Sequence, residues 1–221
     1  EQVNKKNMQL KTFYFNALRT CCYVVHDSEG HCMIIDPGCF GSKEEQRLVD
    51  YIEQNKLTPQ LVVNTHCHFD HLMGLPFVLK KYNIPFYMHA LEEENLQRAS
   101  HHAMLFGFGM PQPDLGYRPL QDQDNLLCGT LEFRVLYTPG HSPGSICLYR
   151  EQDTVIFTGD LLFAGSVGRT DLPGGDYDQL MASLSGKIRP LPPATVVYPG
   201  HGPATTVAEE CAHNPYMQHL Q

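Results

Sequence analysis

The chain has 221 residues, 42% of them apolar and only 18% charged; at about 150 residues per domain this fits one compact domain with a sizeable core. Sixteen Lys and Arg against 24 Asp and Glu leave a formal charge of −8, which argues against a basic phosphate-tracking face and against nucleic acid as a partner. No run approaches 18 consecutive apolar residues, and the polar start from Glu1 to Lys11 lacks the apolar stretch of a signal peptide, so no membrane association and no export are expected. Met8 reads as a natural start, residues 1–11 as a disordered or vector-derived N-terminus, and 12–221 as the folded domain. The eight cysteines are scattered without a C-x-x-C pair. In a chain of this length they read as small buried hydrophobes in a reducing, cytoplasmic setting.

In chain order, Thr12–Leu18, Cys21–His26 and Cys32–Asp36 read as strands, rich in β-branched and aromatic residues, the third ended by Asp36-Pro37-Gly38. Ser42–Asn55 reads as a helix, with Leu48, Tyr51 and Ile52 at helical spacing and Ser42 and Glu45 as a capping box. A short strand, Leu61–Asn64, delivers the chain into Thr65-His66-Cys67-His68-Phe69-Asp70-His71. Leu72–Tyr82 is predicted helical, Phe86–His89 a strand and Ala90–Arg98 a helix, with Glu92, Glu93 and Glu94 on its solvated face. Residues 101–123 lack a stable period and read as a long loop over a cleft. Strands return at Leu131–Tyr137, Ser145–Tyr149, Thr154–Thr158 and Thr195–Tyr198; helices are expected at Tyr177–Leu184 and at the C-terminus. This order suggests two similar halves, sheets inside and helices outside.

The anomaly of composition is 12 histidines. Five of them, His66, His68, His71, His141 and His201, stand directly after predicted strands, as do Asp70 and Asp160. Strands that pack together bring such residues to one sheet edge, and imidazole with carboxylate is a donor set that zinc-type ions accept. With 12 histidines and 12 aspartates in the chain, H-x-H-x-D-H arises by chance in roughly two of a thousand such sequences. In an extended segment His66, His68 and Asp70 share one side, and His71 swings across as the next helix starts.

These segments, with Thr138-Pro139-Gly140-His141-Ser142-Pro143-Gly144-Ser145, Gly159-Asp160-Leu161-Leu162-Phe163, Gly168-Arg169-Thr170-Asp171 and Tyr198-Pro199-Gly200-His201-Gly202, resemble the metallo-β-lactamase fold superfamily, and within it the glyoxalase II-like (hydroxyacylglutathione hydrolase-like) hydrolases. The resemblance implies an α/β (α+β) fold: a four-layer αββα sandwich, two mixed sheets inside and helices outside. It implies two divalent ions per chain, Zn²⁺ first, with Fe or Mn as alternatives. His66, His68 and His141 would hold one, Asp70, His71 and His201 the other, and Asp160 would bridge them. A metal-bridging hydroxide would attack the substrate carbonyl, with Asp70 and Asp160 as catalytic carboxylates and Asp70 assisting proton transfer.

The substrate class implied is a small thioester or ester, such as S-lactoylglutathione or a related acyl thioester. Asp160 argues against the zinc β-lactamases, which carry Cys or Ser there. Glyoxalase II proper adds a C-terminal helical domain for glutathione, which this chain is not expected to carry. The alternative is a mononuclear iron persulfide dioxygenase of the same fold, which shares the H-x-H-x-D-H and Gly-Arg-Thr-Asp segments. Arg169 and Asp171 read as a pair that holds the loop after Asp160, with an alternative role for Arg169 toward a substrate carboxylate. Phe106, Phe108 and Met110 either wall an acyl site or pack on the domain. His101 and His102 read as solvated, His89 as core support, and Cys67 as pointing away from the metals. Oligomeric state is left open.

Overall fold

The structure is a computed structural model that describes residues 8–114 and 116–220. Its first sheet is built from β1 (Gln9–Phe15), β2 (Thr20–His26), β3 (His31–Ile35), β4 (Thr58–Val63), β5 (Phe86–His89) and β6 (Arg118–Leu120), side by side in that order. β1 to β3 are antiparallel, and β3 to β6 run parallel. The second sheet holds β7 (Asn125–Cys128), β8 (Leu131–Tyr137), β9 (Ile146–Arg150) and β10 (Val155–Gly159). After a small hairpin of β11 (Leu162–Phe163) and β12 (Ser166–Val167), it is completed by β13 (Val196–Pro199) and β14 (Thr205–Thr206). Its spatial order is β14-β13-β10-β9-β8-β7, with β10 and β13 parallel.

The period of two along each strand sorts the apolar residues into layers. All seven residues of β2 are buried. Cys22 and Val24 face the outer core, where they meet Leu48 and Ile52 of α1 (Ser42–Gln54), Leu75 and Val78 of α2 (Leu75–Tyr82), Leu96 of α3 (Glu93–Gln97) and Ala99 and Ala103 of α4 (Ala99–Leu105). Cys21, Tyr23 and Val25 face inward, against Phe133, Val135, Ile146, Leu148 and Phe157 of the second sheet. On that sheet's far side, Cys147, Tyr149, Ile156 and Val197 pack under Leu180 of α5 (Tyr177–Ser183) and Val207 of α6 (Val207–His213). Three apolar layers between four layers of elements make the αββα sandwich expected from the resemblance, with both sheets mixed.

Several sequence expectations shift. β1 begins at Gln9, so Gln9–Lys11 join the domain, and residues 1–7 of the proposed N-terminal segment lie outside the described residues. The capping box on α1 does not form. Gly41, at φ 83°, precedes the helix and leaves Ser42 inside it, while the Glu44 carboxylate accepts the backbone N–H groups of Asn16 and Phe40 at 2.8 Å. Ala90–Arg98 is a 3₁₀ turn, Ala90–Glu92, followed by α3. The 101–123 segment is not one loop: α4 runs to Leu105 and β6 adds an edge strand. Its period was hidden because α4 docks through Ala99 and Ala103 while Met104 and Leu105 stay exposed.

Candidate metal centre

Each proposed ligand follows the C-terminal end of a strand. β4 feeds His66, His68, Asp70 and His71; β8 feeds His141; β10 ends one residue before Asp160; β13 ends two before His201. A backbone bridge between His201 and Thr20 joins the two sheets at this edge. All seven expected residues are brought together. One donor atom from each of His66, His68 and His141 lies within 4.8 Å of the other two, and the same holds for Asp70, His71 and His201. Between these groups stands the Asp160 carboxylate. Its Oδ2 lies 3.8 Å from His66 Nε2, 3.5 Å from His141 Nε2 and 3.4 Å from His201 Nε2, and its Oδ1 lies 3.3 Å from His71 Nε2.

The ring nitrogens facing away are tied down. His71 Nδ1 is 3.0 Å from Asp36 Oδ2, His66 Nδ1 is 3.1 Å from Thr65 Oγ1, and His141 and His201 Nδ1 donate to the carbonyls of Arg169 (2.7 Å) and Leu18 (3.1 Å). The Asp70 Oδ2 atom accepts the Thr20 hydroxyl at 2.8 Å. Such outward bonds fix ring orientation; of the inward nitrogens, His68 Nδ1 and His141 Nε2 lie 2.9 Å apart and share a hydrogen bond that an ion would replace. The inward atoms His66 Nε2, His71 Nε2 and Asp160 Oδ1 are buried without a hydrogen-bond partner. Buried polar atoms are ordinarily satisfied, so three orphans converging on one point fit an ion. Gly200 belongs to the same cradle, since a Cβ there would overlap Asp160 Oδ1.

Charge supports that fit. Burial, followed by the neighbouring His71, holds His66 well below the usual imidazole range, and burial with His141 pulls His68 down to about 4, so both offer lone pairs at neutral pH. Burial works to raise the Asp70 carboxyl, but His71 and His201 outweigh it and hold it at about 2. Asp160 is depressed against burial by His71 and His201. Burial likewise works to lower His71 and His201, but the two carboxylates raise both, His201 to about 9. Asp70 and Asp160 are thus both ionised within the cluster, and its His and Asp groups fit a dinuclear metal site, whose ions would take the place of the protons on His71 and His201.

Two supporting carboxylates escaped the sequence reading. Asp36, read as turn chemistry, is 2% exposed and accepts the Thr65 N–H (2.7 Å) and hydroxyl (2.6 Å) besides facing His71. Its position directly after β3 is the signal that could have found it. Glu92, read as solvated, is fully buried: it accepts the N–H of Cys67 (2.7 Å) and of Gly144 (2.7 Å), the Ser142 hydroxyl (2.7 Å) and the Asn95 amide (3.0 Å). It clamps the His66–His68 turn to the His141 turn, and nothing in a Glu-Glu-Glu run marks which member turns inward.

Of the remaining expectations, Cys67 points away, its Sγ 3.3 Å from Met88 Sδ. Arg169 and Asp171 pair with each other at 2.6 and 2.9 Å, while the Arg169 main chain orients His141. Phe106 lines the cavity above the centre, whereas Phe108 and Met110 pack on the outer core. His101 is exposed; His102, expected in solvent, is half-buried and lines the cavity. His89 stacks on Tyr137, ring centroids 4.6 Å apart.

Residues 16–201 match the family model of the metallo-beta-lactamase superfamily. The chain is 39% identical to a probable metallo-hydrolase, YqgX, of Bacillus subtilis, over 86% of this chain and 89% of that one. It is 33% identical to the hydroxyacylglutathione hydrolase GloC of Haemophilus influenzae, over 95% and 98%. Among solved structures it resembles the B3 metallo-beta-lactamase BLEG-1 (TM-score 0.87, 36% identity, 95% and 99% covered). It also resembles TTHA1623 in a di-iron-bound form (0.84, 38%, 93% and 99%) and ETHE1 from Myxococcus xanthus (0.75, 27%, 94% and 83%). Two sheets whose strand ends converge on a His and Asp cluster, and a family match that runs from before the first of these residues to the last, have one common explanation: the chain belongs to the metallo-beta-lactamase superfamily.

Proposed function

We propose that the protein is a dinuclear metal-dependent hydrolase of a small acyl thioester, S-lactoylglutathione or a relative of it. The observation that carries this reading is the Asp160 carboxylate set between two three-residue groups, with His66 Nε2, His71 Nε2 and its own Oδ1 buried without a hydrogen-bond partner. His66, His68 and His141 would hold one ion, Asp70, His71 and His201 the other, and Asp160 both, with zinc as the first candidate and iron or manganese as alternatives. Two such ions supply Lewis acidity to polarise a carbonyl and to lower the pKa of water. Overall, one water is consumed, a C–O bond forms and the C–S bond breaks, giving a carboxylate, a thiol and one proton released to solvent.

The chain's own residues orient and move protons. Thr20 fixes Asp70, which lines the cavity and is the candidate to return a proton to the departing sulfur. Asp36 and the Arg169 and Leu18 carbonyls hold the rings of His71, His141 and His201. All eight cysteines are free thiols, which accords with a reducing, cytoplasmic setting, and among the described residues no helix is long and apolar enough to cross a membrane. The likeness to GloC supports a glutathione thioester, and the likeness to TTHA1623 supports a site that accepts two irons.

The test is hydrolysis of S-lactoylglutathione by protein reconstituted separately with zinc, iron and manganese, read at the loss of thioester absorbance. Turnover that disappears with chelator and in Asp160→Ala supports the proposal. No thioester turnover with any metal, together with opening of a chromogenic cephalosporin or iron-dependent O₂ uptake with a persulfide, overturns it in favour of a lactamase or the dioxygenase.

A further inference from the structure

The cavity in front of the candidate centre has a volume of about 630 Å³, within the range of pockets that enclose drug-sized ligands, a space the acyl group shares with the thiol that carries it. Its wall is apolar on two sides. Phe69, Leu105 and Phe106 stand on one, with the Phe69 and Phe106 rings 5.2 Å apart, and Phe163, Val167 and Leu172 on the other, the Phe163 ring edge-on to His201 at 6.0 Å. The polar groups among them are engaged or few. Arg169, the one Lys or Arg on the wall among the described residues, gives its guanidinium to Asp171, and the Asn95 amide donates to Glu92, which leaves His102 and Ser166. The apolar lining continues outward through Leu105 and Phe106, 68% and 56% exposed. Single exposed apolar residues are ordinary, but a set continuous with a cavity over a reactive centre marks a binding surface.

We infer that the site is built for an extended apolar acyl group, so that straight-chain acyl thioesters of about six to ten carbons are its substrates in preference to S-lactoylglutathione, with Phe106 and Phe163 as specificity-determining residues. The inference rests on the thioesterase reading and deepens it. A chain lying between Phe106 and Phe163 exchanges water for apolar contact with each methylene, whereas the lactoyl hydroxyl meets no donor or acceptor on either aromatic wall. Full burial of a methylene corresponds to roughly fourfold in binding, so partial burial gives about twofold to fourfold per carbon. The wall residues act on ground state and transition state alike, so the gain falls mainly on KM.

The experiment compares S-lactoyl-, S-acetyl-, S-hexanoyl- and S-octanoylglutathione on the metal-loaded protein and, independently of turnover, titrates the products lactate and octanoate into it by calorimetry. The expected result is a kcat/KM that rises with chain length, octanoyl exceeding lactoyl by at least about thirtyfold through KM, and octanoate binding tighter than lactate by a similar factor. Phe106→Ala lowers the octanoyl value about tenfold and leaves acetyl within about twofold, while Phe106→Leu restores most of it. Lactoyl turned over as fast as octanoyl, or a Phe106→Ala effect equal on acetyl and octanoyl, overturns the acyl preference while the thioesterase reading stands. No turnover of any of the four overturns the thioesterase reading and the acyl-thioester proposal with it; tight octanoate binding in that case assigns the apolar wall to a different scissile bond.

Discussion

Replacing Glu92 tests whether the two metal-binding turns are held by one buried carboxylate. Its Oε1 accepts the Ser142 hydroxyl and the Gly144 N–H, and its Oε2 the Cys67 N–H and the Asn95 amide. Glu92→Ala leaves four buried donors without that acceptor. Ser142 can turn to Ser145, whose hydroxyl lies 2.6 Å away, so two backbone N–H groups and one amide bear the loss. At about 1–3 kcal/mol per buried unsatisfied group, eased by relaxation, the expected destabilisation is roughly 4 kcal/mol. Glu92→Gln retains one carbonyl oxygen. Turned with its amide nitrogen toward Ser142, which can accept, it sacrifices chiefly the Gly144 contact, for about 2 kcal/mol. Cys67 lies between His66 and His68, and Ser142 follows His141, so looser turns also weaken metal uptake, by about tenfold or more. Urea unfolding of metal-free protein followed by circular dichroism reads the first effect, and competition with a chromogenic chelator reads the second. A Glu92→Gln variant within 0.5 kcal/mol of wild type by the linear-extrapolation error scale and with unchanged metal affinity would refute the clamp.

Asp36→Asn removes the anionic partner of His71 Nδ1 and is expected to reduce metal affinity about 10–100-fold, checked by the same competition; unchanged affinity contradicts a supporting role. Gly200→Ala places a methyl group on Asp160 Oδ1 and is expected to fold, yet bind fewer ions, as read by elemental analysis of protein that retains its circular dichroism. Away from the site, burial works to raise the Asp27 carboxyl, but the Thr130 N–H and the His31 ring and N–H outweigh it and hold it at about 2, against an ordinary 3.8. A depressed carboxyl stabilises the fold fully above its unfolded value and loses that contribution as pH falls from 3.8 through 2. The loss is about 2 kcal/mol, and Asp27→Asn should flatten that part of a stability–pH curve measured by urea unfolding.

Legibility in the sequence followed the physics of each signal. β5 and β8 were read with the bounds the structure gives them: Phe86–His89 alternates buried and half-buried residues, and Leu131–Tyr137 buries Leu131, Phe133 and Val135 in period two. Short edge elements were not: β6 is three residues with one buried, and β14 is two residues, too few for a period to show. Histidines after strands were legible because imidazole at a strand end has few bland uses; five of the seven proposed ligands came from that rule, and Asp70 and Asp160 from the same placement. Glu92 was not, because it turns inward only through donors on Cys67, Ser142 and Gly144, which are 25 to 52 residues away in the chain. The cap of α1 was misread because Gly41, at φ 83°, takes the position before the helix and leaves Ser42 inside it, with no side-chain hydrogen bond closing the first turn. Local pattern thus gives element and ligand type; which polar group closes a long-range contact is settled only by the packed fold.

Metal content per chain, measured by elemental analysis on wild type and Asp160→Ala expressed without a chelating tag, tests the dinuclear centre most directly. Because Asp160 lies within 3.8 Å of His66, His71, His141 and His201 alike, the expected result is about two ions for wild type and at most about one for the variant, with circular dichroism unchanged. One tightly held iron in wild type, retained in full by Asp160→Ala, would contradict it.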